Sequence, residues 1–183
     1  KGAGFAIDVL KLVSGTTFAQ LVAILAAPIL TRLYAPEIFG IVALFTSLTG
    51  IAGTIACLRY ELAVMLPEHD EEAANLLGIS LGFVFLITLL SIPLIWWTKE
   101  PLLRWLNAPY LASYLWLIPL SLLINGIFLA LNYWNSRTRH FGRLSIARVT
   151  SALTTTPSTI GLGFAGYATA GSMIGATIAG QAV

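Results

Sequence analysis

Apolar residues along this chain come in long blocks rather than at every second position or on one helical face. Six blocks run over residues 12–33, 38–58, 73–97, 111–134, 144–166 and 167–183, the last unfinished at Val183. Each of the first five is roughly 20 residues long, enough at about 1.5 Å per residue to cross about 30 Å of hydrocarbon. A lone strand would leave its amides and carbonyls unpaired in lipid, so each block is predicted to be a helix. The blocks are apolar all round, as segments facing lipid and other helices are. The predicted fold class is therefore all-α: a polytopic membrane helical bundle of about six transmembrane helices.

The residues between blocks fit this layout. Tyr34-Ala35-Pro36-Glu37 forms a short polar turn. Pro67 to Glu72 precedes the third block, with Asp70 placed to cap its helix and Glu71 and Glu72 in the first turn, where the helix dipole favours negative charge. Lys99-Glu100-Pro101 and Asn107-Ala108-Pro109 bracket a short segment, Leu102 to Leu106, expected to lie at the membrane interface. Trp96, Trp97, Trp105, Tyr110, Tyr114 and Trp116 gather there as an aromatic belt.

Composition sharpens the picture. The 183 residues are 57% hydrophobic and only 10% charged, with a mean hydropathy of +0.86. A soluble domain carries about 25% charged residues, and a chain this poor in charge cannot cover a water-facing surface. Residues 1–11 read as a short polar lead, and the block that follows is too long for a signal-peptide core. A first residue that is not Met and an unfinished last block suggest a fragment of a longer protein. Cys57 is the one cysteine, which excludes an internal disulfide and a cysteine-based metal site. A net charge of +2 gives no reason to expect nucleic acid.

Six crossings alternate the loops between two sides. Lys1, Lys11, Arg59, Arg137, Arg139, Arg143 and Arg148 fall on one side, and Arg32, Lys99 and Arg104 on the other. The positive-inside rule then predicts a cytoplasmic amino terminus. The arginines between the fourth and fifth blocks carry most of this bias. They also suit an anionic lipid head group.

No catalytic, metal or cofactor site is expected. His69 beside Asp70, Glu71 and Glu72 looks superficially like a metal cluster but reads as a solvated helix start. His140 stands apart, and no Gly-rich phosphate loop is present. A membrane enzyme would have to draw on Glu61 or the 68–72 acids, which read as loop charge. Arg32, Arg59 and Arg148 lie within about a turn of block ends, where they can snorkel. Thr16, Thr17 and Gln20 share a helical face. Asn125, Asn132 and Asn135 mark the fourth block, and a run of Ser and Thr from Thr150 to Thr159 marks the fifth. Two readings stand for these polar residues: a hydrated cavity for a polar solute, or hydrogen bonds between helices. The amides of Gln20 and Asn125 are harder to hide than hydroxyls and point toward a cavity. Gly78 with Gly82, Gly171 with Gly175, and the cluster Gly161, Gly163 and Gly166 suggest close helix packing. Pro28 and Pro157 are candidate kinks.

Three stretches together carry a family resemblance: Arg32-Leu33-Tyr34-Ala35-Pro36-Glu37-Ile38-Phe39-Gly40, then Leu58 to Pro67 followed by Glu71 to Leu76, then Asn132-Tyr133-Trp134-Asn135 with the arginine loop. The succession resembles the amino-terminal half of the polysaccharide biosynthesis proteins, the Wzx-type O-antigen and exopolysaccharide flippases of the multidrug/oligosaccharidyl-lipid/polysaccharide exporter superfamily. The resemblance covers nearly all 183 residues. It implies that residues 1–183 are one transmembrane lobe of a two-lobed flippase, a transporter rather than an enzyme. The implied substrate is an undecaprenyl-pyrophosphate-linked oligosaccharide, moved across a bacterial inner membrane, with membrane lipids and a polysaccharide polymerase as further partners. Arg32, Arg59, Arg148, Gln20 and Asn125 are the substrate-binding candidates. The alternatives are a cation-coupled multidrug or metabolite antiporter of the same superfamily and a flippase for the peptidoglycan lipid precursor.

Overall fold

A computed structural model describes residues 2–56, 60–138 and 141–182. Among the described residues there is no strand. The helices, in chain order, are α1 (Gly2–Leu33), α2 (Pro36–Ala56), the single turn α3 (Tyr60–Ala63), α4 (Asp70–Leu106), α5 (Ile118–Arg137), α6 (Phe141–Phe164) and α7 (Ala170–Ala182). Two 3-10 turns, Pro109–Ser113 and Leu115–Leu117, join α4 to α5. Among the described residues, four stretches are long and apolar enough to cross a membrane: Val13–Leu33, Pro36–Ile55, Asp70–Leu106 and Leu115–Arg137. The chain is an all-α polytopic membrane protein.

The helices depart from the apolar blocks in instructive ways. The expected polar lead is helical from Gly2 and continuous with α1. The third block extends to Leu106, so the segment expected to lie apart at the interface is the last two turns of α4. Pro101 deprives the Trp97 carbonyl of its partner, but this stretch is open: Trp97 is 85% exposed and flanked by Lys99 and Glu100. The carbonyl there can be solvated, so the helix continues. The cap of α4 is His69, with no side-chain bond, and Asp70 is the first helical residue rather than the cap. The fourth block starts as 3-10 turns: Pro109 opens the first of them, and Pro119 has no amide for the Leu115 carbonyl, which accepts from Ile118 instead. The fifth and sixth expected spans form α6 and α7. The first half of α6 carries Arg143 and Arg148, and α7 has 13 residues, about 20 Å of helix; neither joins the four apolar stretches.

Ends of helices are set by local chemistry. Asn107 closes α4 in the left-handed region (φ 49°), and the Ala108 amide reaches back to the Leu103 carbonyl at 3.2 Å. Gly166 (φ 86°) ends α6 in the same way, with the Tyr167 amide on Leu162 O at 2.9 Å. Both are Schellman closures, and a residue tolerant of positive φ is what they need. At the start of α7, Thr169 and Ser172 cap reciprocally: the Ser172 amide donates to Thr169 Oγ1 and the Thr169 amide to Ser172 Oγ.

The fold comprises two compact units, Lys1–Phe39 with Asn135–Val183, and Gly40–Trp134. Lipid tails are as apolar as leucine, so helices here gain little from the hydrophobic effect and depend on close fit. In the first unit α6 packs between α1 and α7. The face of α1 bearing Gly15, Ala19, Val22, Ala26, Leu30 and Leu33 is buried or half-buried, while Leu21, Ile24, Leu25 and Ile29 are exposed. Gly15 lies against Ser145, and Gly180 of α7 against Thr155 and Ser151 of α6. In the second unit Gly126 of α5 meets Val84 of α4. These close contacts are not the ones glycine spacing suggested. Gly78, Gly82, Gly161 and Gly175 face open space, and of the cluster ending the fifth block only Gly163 is tightly packed, against Tyr34 and Leu33.

Candidate functional site

Polar side chains on lipid-length helices have three fates here. Many hydroxyls bond their own helix: Thr46 to Val42 O, Thr49 to Phe45 O, Thr98 to Leu94 O, Thr150 to Ile146 O and Thr159 to Thr155 O. This back-bonding satisfies a hydroxyl in lipid without a neighbouring helix. It supplies a reading beyond the cavity and the interhelical bond for part of the hydroxyl run on α6. A second group lacks any partner: the buried hydroxyls of Ser80, Thr88 and Ser121 on α4 and α5.

The third group forms a polar strip in the first unit. Arg148, two turns into α6, donates from Nη1 to Thr16 Oγ1 of α1 at 2.9 Å. Both groups lie at an open seam, because Arg148 is exposed and Thr16 half-buried. Gln20 is one turn further along α1 and fully on the surface. Close approach of the two helices at Gly15 and Ser145 places this seam. A guanidinium, a hydroxyl and an amide thus follow one another on helices whose other exposed positions include Val13, Leu21, Ile24 and Ile146. A guanidinium offers forked donors to phosphate oxygens, and an amide offers a donor and an acceptor to sugar hydroxyls.

The remaining candidates stand elsewhere. Arg32 is exposed in the last turn of α1, 16 residues or about 24 Å from Thr16 along the helix. Asn125 belongs to the second unit and lines a cavity of about 140 Å³ with Thr49, Gly50, Gly53, Thr54, Gly126 and Leu129, room for a few waters. Arg59 lies outside the described residues, as do Cys57, Arg139 and His140.

Sequence reasoning passed over Tyr34 as a loop residue, yet it anchors the first unit. Its ring is 2% exposed. Its hydroxyl donates to Thr159 O of α6 at 2.8 Å and lies 3.4 Å from Ser172 Oγ of α7. The Phe39 ring meets it edge-on, with centroids 6.5 Å apart. Gly163 of α6 makes room for it: an added Cβ there would stand 3.0 Å from the Tyr34 ring.

Residues 29–183 match the family model described as polysaccharide biosynthesis protein. The chain belongs to that family. No curated protein and no solved structure matches it. As a polysaccharide biosynthesis protein it is a helical membrane protein of transporter-like build. Both Tyr34 and Arg148 fall within the matched residues. So do Arg32, Arg59 and Asn125, whereas Thr16 and Gln20 precede them.

Proposed function

We propose that this protein translocates a lipid-linked oligosaccharide across the bacterial inner membrane for surface polysaccharide synthesis. The physical problem is the sugar. Each hydroxyl moved into hydrocarbon without a partner costs several kcal/mol, roughly 2–7 by transfer measures. A protein face of hydroxyls, amides and guanidinium replaces the lost water. The undecaprenyl tail needs no such help and stays among the lipid tails. The pyrophosphate requires a cation with directed donors, a role we assign to Arg148, with Gln20 and Thr16 beside it. The observation that carries this reading is that polar strip on helices otherwise facing lipid, in a chain of the polysaccharide biosynthesis family. Arg32, Arg59 and Asn125 are further candidate contacts for the substrate. The arginine loop sits in the cytoplasm, as its share of the chain's cations favours.

Removing the gene tests this. Surface polymer is expected to disappear while its lipid-linked repeat unit accumulates on the cytoplasmic face. Normal polymer with no accumulation would rule the function out. An essential gene whose loss halts cell-wall synthesis would point instead to the peptidoglycan precursor as substrate.

A further inference from the structure

The second unit contains an open groove of about 1030 Å³ between the end of α4 and the start of α5. Its position follows from the connection. The 3-10 turns between Pro109 and Leu117 offset the start of α5 from the end of α4, and the space between is not refilled by side chains. Ile92 and Trp96 form one wall, Trp116 and Leu120 the other, and Lys99 and Ser113 stand at its polar end. The volume is at the upper limit for small-molecule pockets, about 300–1,000 Å³.

Three features identify an occupant. The walls are almost wholly hydrocarbon, which suits a chain without polar atoms. Trp96 and Trp116 are 86% and 70% exposed, and tryptophans at the ends of apolar helices mark the boundary between head groups and acyl chains. The groove therefore opens at the depth where a lipid passes from phosphate to tail. Lys99, one turn beyond Ile95, supplies a positive charge at that boundary. Its neighbour Glu100 is turned toward Arg104, 3.4 Å away, and among the described residues no carboxylate pairs with Lys99. One ammonium matches one phosphodiester charge.

We infer that this groove binds an acyl chain of an anionic glycerophospholipid, with the lipid phosphate held at Lys99. The groove shares no residue with the polar strip on α1 and α6, and it stands whether or not the protein flips oligosaccharide. Its ligand comes from the surrounding bilayer.

Tryptophan quenching tests it. The full-length protein is reconstituted in vesicles containing a small fraction of lipid with brominated acyl chains, carried on either phosphatidylglycerol or phosphatidylcholine. Brominated phosphatidylglycerol is expected to occupy the site about fivefold more readily, the ratio equivalent to the ~1 kcal/mol that one lysine contributes near an anionic surface. Lys99→Gln should bring that ratio close to one while leaving quenching by phosphatidylcholine unchanged. Replacing Trp96 and Trp116 together with Phe should remove most of the excess quenching, which locates it in the groove. Equal quenching by the two head groups in the wild type, or a preference that survives Lys99→Gln, would overturn the assignment. So would absence of quenching at Trp96 and Trp116 by either lipid, the result if a helix or a second copy fills the groove.

Discussion

Tyr34→Ala is expected to destabilise the first unit by about 3–5 kcal/mol, the usual cost of deleting a buried aromatic ring. The side chain is fully enclosed and no lipid tail can reach the space it would leave. Its loss removes the edge-on contact with Phe39, the filling of the notch at Gly163 and the hydroxyl bond to Thr159 O. Tyr34→Phe separates these parts. It keeps the ring and loses one hydrogen bond, so about 1 kcal/mol is expected. The measurement is the unfolding midpoint in mixed micelles across a titration of denaturing detergent. Equal midpoints for Tyr34→Ala and the wild type would show that the ring does not tie α1 to α6.

Arg148→Ala is expected to reduce translocation by about 10–100-fold, corresponding to one charge-assisted hydrogen bond of about 1.5–3 kcal/mol lost at the phosphate. Folding should be unaffected, since Arg148 is exposed and, among the described residues, its one side-chain bond is to Thr16. Arg148→Lys should recover only part of the rate, because an ammonium keeps the charge but lacks the fork that matches phosphate oxygens. Thr16→Val, which frees the guanidinium without removing it, should cost only a few-fold. The rate of appearance of lipid-linked oligosaccharide at the outer leaflet reads all three. Full activity in Arg148→Ala would remove the residue from the translocation path.

Fold class was legible because it rests on a coarse quantity. Twenty consecutive apolar residues fix a helix in lipid regardless of detail, and α1, α2, α4 and α5 each contain such a stretch. Helix ends were less legible where proline rules compete with solvation. Pro101 reads as a stop, yet α4 passes through it at the wet end of the helix. Close packing was legible least. Gly78 and Gly82 have the spacing of a helix contact but meet nothing, while Gly15, Gly126 and Gly180, each four residues from an alanine rather than from a second glycine, touch neighbouring side chains. Spacing along one helix does not say which face a partner covers. The polar strip was half legible: Gln20 and Arg148 stood out by residue type, but only the pairing of α1 with α6 brings Arg148 to Thr16. Tyr34 was invisible as an anchor because its partners, Thr159 and Ser172, are more than a hundred residues away.

The account depends on α5 as a rod through the bilayer with its two ends in different compartments. Tyr110→Cys, in the 3-10 turn before α5, and Gly142→Cys, in the first turn of α6, are made singly in a chain whose Cys57 is replaced by Ser. Intact cells are then treated with a membrane-impermeant maleimide. Tyr110→Cys should label in intact cells, and Gly142→Cys only after the membrane is opened. Labelling of both sites from the same side would contradict the crossing, and the polar path between compartments with it.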